Sequence, residues 1–232
     1  MKKTSLKIAA LLLVAGSTQA ATITQTNTFN GQPNYSSVLT FNKFNDNNGT
    51  YTLNSIFISV VLNTDAGASL GIDNDGAQAA SGLVEFGSTG GITSSDVGLN
   101  QVGGGTFLAP LSSVSQKTMN LYGDDGDTTV YSTLGNDFDS LTTIATSKST
   151  NSFIKSSVFE DYIGAGTYTI TYGVNQYMNM AAFSGVQFQG NPVTAGGTMT
   201  ITYDYVIPEP ASASMAILVL IAGFWVRRRF ID

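Results

Sequence analysis

Two short runs of the chain carry the oxygen-rich spacing that hard cations need. One is Asp73-Asn74-Asp75-Gly76. The other is Asp124-Asp125-Gly126-Asp127, with Asn136-Asp137-Phe138-Asp139 downstream. Calcium takes about six to eight oxygens, and loops of Asp and Asn with a Gly at the bend supply them. Asp73, Asp75, Asp124, Asp125 and Asp127 are therefore the candidate metal ligands, and calcium is the cofactor they would take. The first run opens like an EF-hand loop, Asp-x-Asp-Gly, but no Glu stands at the closing position and no helix flanks it. Solvated turns favour the same residue types.

Other chemistry is constrained by what the chain lacks. It has no histidine and no cysteine. That excludes a Ser-His-Asp triad, a thiol nucleophile, an ordinary zinc site and any disulfide. A glycoside hydrolase needs two carboxylates at a fixed separation, and Glu85, Glu160 and Asp161 are the candidates. Adjacent residues on a strand point to opposite faces, so Glu160 and Asp161 would not share a site if strand-borne. No catalytic residue is assigned, and the chain reads as a non-enzyme. Glycan binding would need aromatic faces. Tyr162, Tyr168, Tyr172 and Tyr177 are available for it, but the same residues serve cross-strand core packing. The chain's single indole, Trp225, lies in the apolar C-terminal segment. Asn48-Gly49-Thr50 fits the glycosylation sequon and reads as a turn.

The elements that would position these residues are strands. In Thr198-Met199-Thr200-Ile201-Thr202-Tyr203-Asp204-Tyr205, bulky residues alternate with polar ones, so Met199, Ile201, Tyr203 and Tyr205 face one way. Thr167 to Tyr172 alternates likewise. Leu53 to Leu62 is apolar on both faces, as a central strand should be. Thr22 to Phe29, Val38 to Phe44, Gly82 to Phe86 and Gln116 to Leu121 are weaker strands. Gly, Asn and Asp clusters separate them. Gly87 to Gly105 reads as a long loop, and Leu134 to Lys148 holds too many Thr and Ser for a helix. These patterns predict an all-β fold, a single antiparallel β-sandwich of jelly-roll type. Residues 21–206 carry four lysines against fourteen carboxylates, a net of −10. Such a surface repels nucleic acid and anionic membranes and suits a neutral glycan, a cation or simple solubility.

The two ends read as export signals. Lys2, Lys3 and Lys7 precede an apolar run from Ile8 to Gly16 and a small, polar stretch from Ser17 to Ala20. This is the layout of a signal peptide over residues 1–20, cut after Ala20. At the other end, Ala211 to Val226 is an uncharged stretch of sixteen residues before Arg227, Arg228 and Arg229. As a helix it would span roughly 24 Å, slightly short of the ~30 Å hydrocarbon core. The arginines would act as a cytoplasmic stop-transfer anchor. A glycolipid-anchor signal ends in its apolar tail without such a basic stop, and a plain membrane anchor needs no Pro-Glu-Pro.

The tripartite tail of residues 207–232, with Pro208-Glu209-Pro210 before the apolar stretch and basic end, resembles a PEP-CTERM sorting signal. Such signals occur in Gram-negative bacteria that make exopolysaccharide. The resemblance implies recognition by an exosortase, a membrane cysteine protease, with processing near Pro208–Pro210. The two prolines would hold the peptide extended outside the membrane. A second resemblance runs from Thr28-Phe29-Asn30-Gly31-Gln32-Pro33-Asn34-Tyr35 through Leu39-Thr40-Phe41-Asn42-Lys43-Phe44-Asn45. It is to the choice-of-anchor E domain, with Lys43 and Asn45 in place of the more usual Gln and Asp. That family joins one domain to alternative surface anchors, and the resemblance carries over no established activity. The expectation is an exported, non-enzymatic cell-surface or extracellular-matrix protein. Its partners would be an exosortase, exopolysaccharide or other surface glycans, and the membrane before processing. The alternative is a glycan-binding, or less readily glycan-cleaving, module stabilised by calcium.

Overall fold

The computed structural model describes residues 18–126, 131–181 and 183–208. Most of the expected leader, the apolar stretch with Arg227–Arg229, and the residues Asp127, Glu209 and Pro210 lie outside them. Among the described residues no helix is long and apolar enough to cross a membrane.

The described chain is all-β. Its strands are β1 (Thr18–Gly31), β2 (Tyr35–Asn42), β3 (Thr52–Thr64), β4 (Ser69–Asp73), β5 (Ala80–Thr93), β6 (Leu111–Leu121), β7 (Phe138–Thr142), β8 (Thr146–Phe153), β9 (Thr167–Asn179), β10 (Gln187–Gly190) and β11 (Ala195–Pro208). A short 3-10 helix, Ser156–Tyr162, joins β8 to β9. One sheet has the order β1-β11-β3-β8 and a second β2-β9-β5-β6; a smaller third sheet has the order β10-β4-β7. All neighbouring strands are antiparallel.

The two four-stranded sheets share one core, as in a sandwich. From the first come Phe29, Ile56, Ile58, Val60, Leu62, Met199, Ile201 and Tyr203. The second contributes Leu39, Phe41, Tyr168, Ile170, Tyr172 and Val174. The alternation of β3 and β11 is what buries these side chains, since a strand's side chains alternate between faces. The outward threonines pair across the sheet, with Thr26 and Thr200 hydroxyls 2.9 Å apart and Thr24 and Thr202 hydroxyls 3.2 Å apart. Aromatic rings fill the middle. Phe29 stacks on Tyr172 at 4.3 Å, and Tyr162 meets Tyr168 edge-on at 5.2 Å. Tyr203 donates to the Asn42 carbonyl at 3.1 Å, which leaves Tyr168 as donor in its 2.7 Å bond to Tyr203. Burial pushes the Tyr203 hydroxyl up to about 12 and that of Tyr168 higher still. A second, smaller core of Leu70, Ile72, Val84, Phe86, Met119, Leu121, Leu141 and Val193 lies beneath the third sheet.

The sequence expectations need several corrections. The stretch from Gly87 to Gly105 is not all loop, because β5 continues to Thr93. Its glycines belong there: a Cβ on Gly87 would collide with the main chain of Ser113 and Val114 on β6. Phe44 lies beyond β2, in an isolated bridge to Ile163. Leu134 to Lys148 contains β7 and the start of β8, and β4 and β10 were not foreseen. Strand β8 is an edge strand rich in Ser and Thr, with little apolar alternation to announce it. Its one large ring, Phe153, packs against Phe57 of β3 at 5.0 Å.

Candidate functional site

The acidic runs lie at one end of the small sheet. Asp73 closes β4 and is buried, and its Oδ2 accepts a 2.6 Å hydrogen bond from the Ser132 amide. Asn74, also buried, is a structural hub. Its Nδ2 donates to the carbonyls of Gln78 (2.9 Å) and Tyr122 (2.6 Å), its Oδ1 accepts from Gly76 N, and its amide donates to the Asp137 carbonyl. Asp75 turns away and accepts from Gln187 Nε2.

The second run and its downstream partner converge. One carboxylate oxygen from each of Asp124, Asp125 and Asp137 lies within 4.8 Å of the other two. Asp124 and Asp125 are exposed and Asp137 is buried. Asp125 N donates to Asp137 Oδ2 at 3.1 Å, and Gly126 N to Asp124 Oδ1 at 2.8 Å. Asp139, two residues on, is instead paired with Lys117, whose Nζ also donates to Ser140 O at 2.8 Å. Of the ligands expected from sequence, then, Asp124 and Asp125 come together and Asp137 joins them. Asp75 is directed elsewhere, and Asp127 lies outside the described residues.

Most of the other candidates make hydrogen bonds that tie neighbouring elements together. Glu85 on β5 accepts from Asn179 Nδ2 at 2.9 Å, from Gln116 Nε2 and from the Tyr177 hydroxyl. These bonds, that from Asn179 first, hold its carboxyl below the usual carboxylate range. A glycosidase general acid needs the opposite shift. Glu160 and Asp161 sit in the 3-10 helix rather than on a strand, and Asp161 Oδ2 accepts from Gly98 N at 2.8 Å. Asp96 likewise ties its loop to β9, accepting from Thr169 Oγ1 at 2.7 Å and from Thr169 N at 2.9 Å, which lowers its carboxyl pKa. Tyr162, Tyr168 and Tyr172 are buried, so only Tyr177 of that set reaches the surface. Asn47, Asn48 and Gly49 have φ of 52°, 55° and 78°, a left-handed turn carrying the sequon.

One concave feature had no sequence signal. A groove of about 310 Å³ lies across the third sheet, bordered by Tyr131, Phe138, Gln189, Asn191 and Ser69. Its floor is Gly71, and Tyr131 lies directly over that residue: a Cβ there would overlap the tyrosine hydroxyl. Tyr131 meets Phe138 edge-on at 5.9 Å. Burial and the neighbouring Asp73 carboxylate push the Tyr131 hydroxyl pKa up.

At the chain ends, Thr18 pairs with Pro208, Gln19 with Ile207 and Ala20 with Val206. The last pairing of β11 with β3 is Val206 with Thr52. Of the expected sorting motif, Pro208 is therefore the last residue of β11, the strand between β1 and β3.

No protein-family model and no curated protein matches the chain. Among solved structures, the infectious bursal disease virus VP2 subviral particle is 12% identical over 97% of this chain and 55% of its own, at a TM-score of 0.18. The structure of the Gx strain of infectious bursal disease virus is 13% identical over 98% and 54%, at a TM-score of 0.20. The chain thus spans about half the length of these viral chains, and at such TM-scores the likeness bears on neither fold nor function.

Proposed function

We propose that this chain is an exported, non-enzymatic domain of the cell surface or extracellular matrix, delivered through a PEP-CTERM-type signal and an exosortase. The observation that carries the reading is the direct run of β11 into Pro208-Glu209-Pro210. With no linker, the domain sits at the membrane face until it is processed. Ile207 and Pro208 lie beyond the last β3 pairing and pair only with Gln19 and Thr18. Those two partners leave with a leader cut after Ala20. The peptide entering the motif is then an unpaired extended strand, the form in which proteases take substrates. The strand orders support a jelly roll. With β4, β7 and β10 set aside as an inserted sheet, the remaining eight strands form two four-stranded sheets, and the chain crosses between them at every step except β5 to β6, in the manner of two Greek keys.

The intact mass of the protein recovered from membrane and medium of its producing cells tests this. A mature chain starting at Ala21 and ending near Pro208–Pro210 is the expected result. A mass that retains Arg227–Arg229 in both fractions would remove the exosortase from the account.

The groove over Gly71 favours a second reading, compatible with the first, in which the domain binds a neutral surface glycan. It offers two rings beside amides and hydroxyls and little charge, the mixture that sugars require. Tyr131→Ala is expected to weaken retention on the producing cell's own exopolysaccharide at least about tenfold, the effect of losing one stacking anchor. Equal retention of the variant would place any glycan contact elsewhere.

A further inference from the structure

We infer that Asp124, Asp125 and Asp137 form a calcium site that ties the end of β6 to the start of β7. The inference does not depend on the sorting or glycan readings. Asp137 is 2% exposed, and its Oδ1 has no hydrogen-bond partner. A buried carboxylate oxygen left without a donor is strongly disfavoured unless a cation completes it. That oxygen lies on the side of Asp125. It lies 2.6 Å from the position a Cβ would take on Gly135, and Asp125 Oδ2 converges on the same point. Gly135 has a φ of 105°, and only glycine leaves this space to oxygen atoms.

The donors select the ion. They are all carboxylate oxygens, which suit hard cations rather than zinc or copper. Three carboxylates supply part of the roughly six to eight oxygens calcium takes, with main-chain carbonyls and water usual for the rest. Magnesium demands stricter octahedral geometry and gives up its water reluctantly, so a site offered by an exposed loop favours calcium. The nearest lysine in sequence to these groups, Lys117, is already engaged by Asp139 and Ser140.

The consequence is mechanical. Asp124 and Asp125 follow β6, whereas Asp137 immediately precedes β7. Bringing them together joins the end of β6 to the start of β7, beside Ser132, whose amide is tied in turn to Asp73. Calcium would thus set the wall of the groove over Gly71.

The test is thermal unfolding of the full chain in detergent, in chelator and in calcium at about 10 mM, above the ~10⁻⁴–10⁻³ M range of extracellular sites. Saturating calcium is expected to raise Tm by about 5 °C, with magnesium less effective and chelator reversing the shift. Asp124→Asn keeps the acceptor for Gly126 N but removes a charge. Its calcium affinity is expected to fall at least about tenfold, with Tm in chelator unchanged or raised, because like-charge repulsion is relieved. Asp137→Asn should behave alike, and if it fails to fold, the exposed Asp124 carries the comparison. A wild-type Tm indifferent to calcium would overturn the inference. So would an Asp124→Asn variant that keeps the full shift at the same calcium concentration.

Discussion

A chain truncated after Thr194 will not fold, whereas one ending at Pro208 will. The truncation removes β11, which lies between β1 and β3. Strand β1 then loses the partner to which all fourteen of its residues are paired. The core loses Met199, Ile201 and Tyr203, each fully buried. At about 1.5–3 kcal/mol for each large side chain, their sum is comparable with the whole stability of a typical domain, about 5–15 kcal/mol. The Tyr168–Tyr203–Asn42 hydrogen-bond chain goes with them, leaving the Tyr168 hydroxyl buried without its partner. Circular dichroism and limited proteolysis decide the matter. Loss of the cooperative melt is expected for the shorter chain, and a sharp melt would mean that β11 is dispensable. The same comparison bears on the proposed processing, since a cut upstream of β11 would destroy the domain.

Gly197→Ala should be the most damaging small substitution. Gly197 lies in β11, opposite Phe29 on one side and Leu62 on the other. A Cβ at this position would overlap the Val61 carbonyl oxygen and come within 2.7 Å of the Phe29 ring. The obstacle is main chain of the neighbouring central strand, so a rotamer change cannot relieve it. Overpacking of this kind costs about 3 kcal/mol at the upper end of its usual range, or a fall in Tm of about 6–12 °C for a chain of this size. Gly103→Ala is the control, because nothing lies within 4 Å of the corresponding Cβ. Scanning calorimetry of the two variants should separate them clearly. Equal melting temperatures would show that β3 and β11 can part without penalty and that their close approach at Gly197 is not a constraint.

The candidate sites differ in how far the primary structure could announce them. Asp124 and Asp125 were legible as potential ligands because oxygen-rich loops have a composition of their own. Asp137 and Asp139 looked equivalent in the same downstream run. They separate only in three dimensions, where Asp139 comes within reach of Lys117 and Asp137 is buried beside the other two carboxylates. Tyr168 and Tyr172 could have faced a sugar or a core, and the pairing of β9 with β2 and β5 turns them inward. The groove had no linear signature at all. Its floor and walls come from Ser69 and Gly71, from Tyr131 and Phe138, and from Gln189 and Asn191, three stretches far apart in the chain.

What the sequence determined by itself was local or linear. The all-β character follows from the alternation of Met199, Ile201 and Tyr203 and from the two-sided apolar run of β3, because side-chain direction along a strand has a period of two residues. The absence of histidine and cysteine removed whole classes of chemistry before any contact was considered, and the two resemblances rest on short contiguous text. The tertiary structure decided which strand lies beside which, that β4, β7 and β10 form a sheet of their own, and which carboxylates share a space. The physical reason is the same in each case. Strand pairing and ligand convergence join residues many positions apart, and composition and periodicity report only on neighbours along the chain.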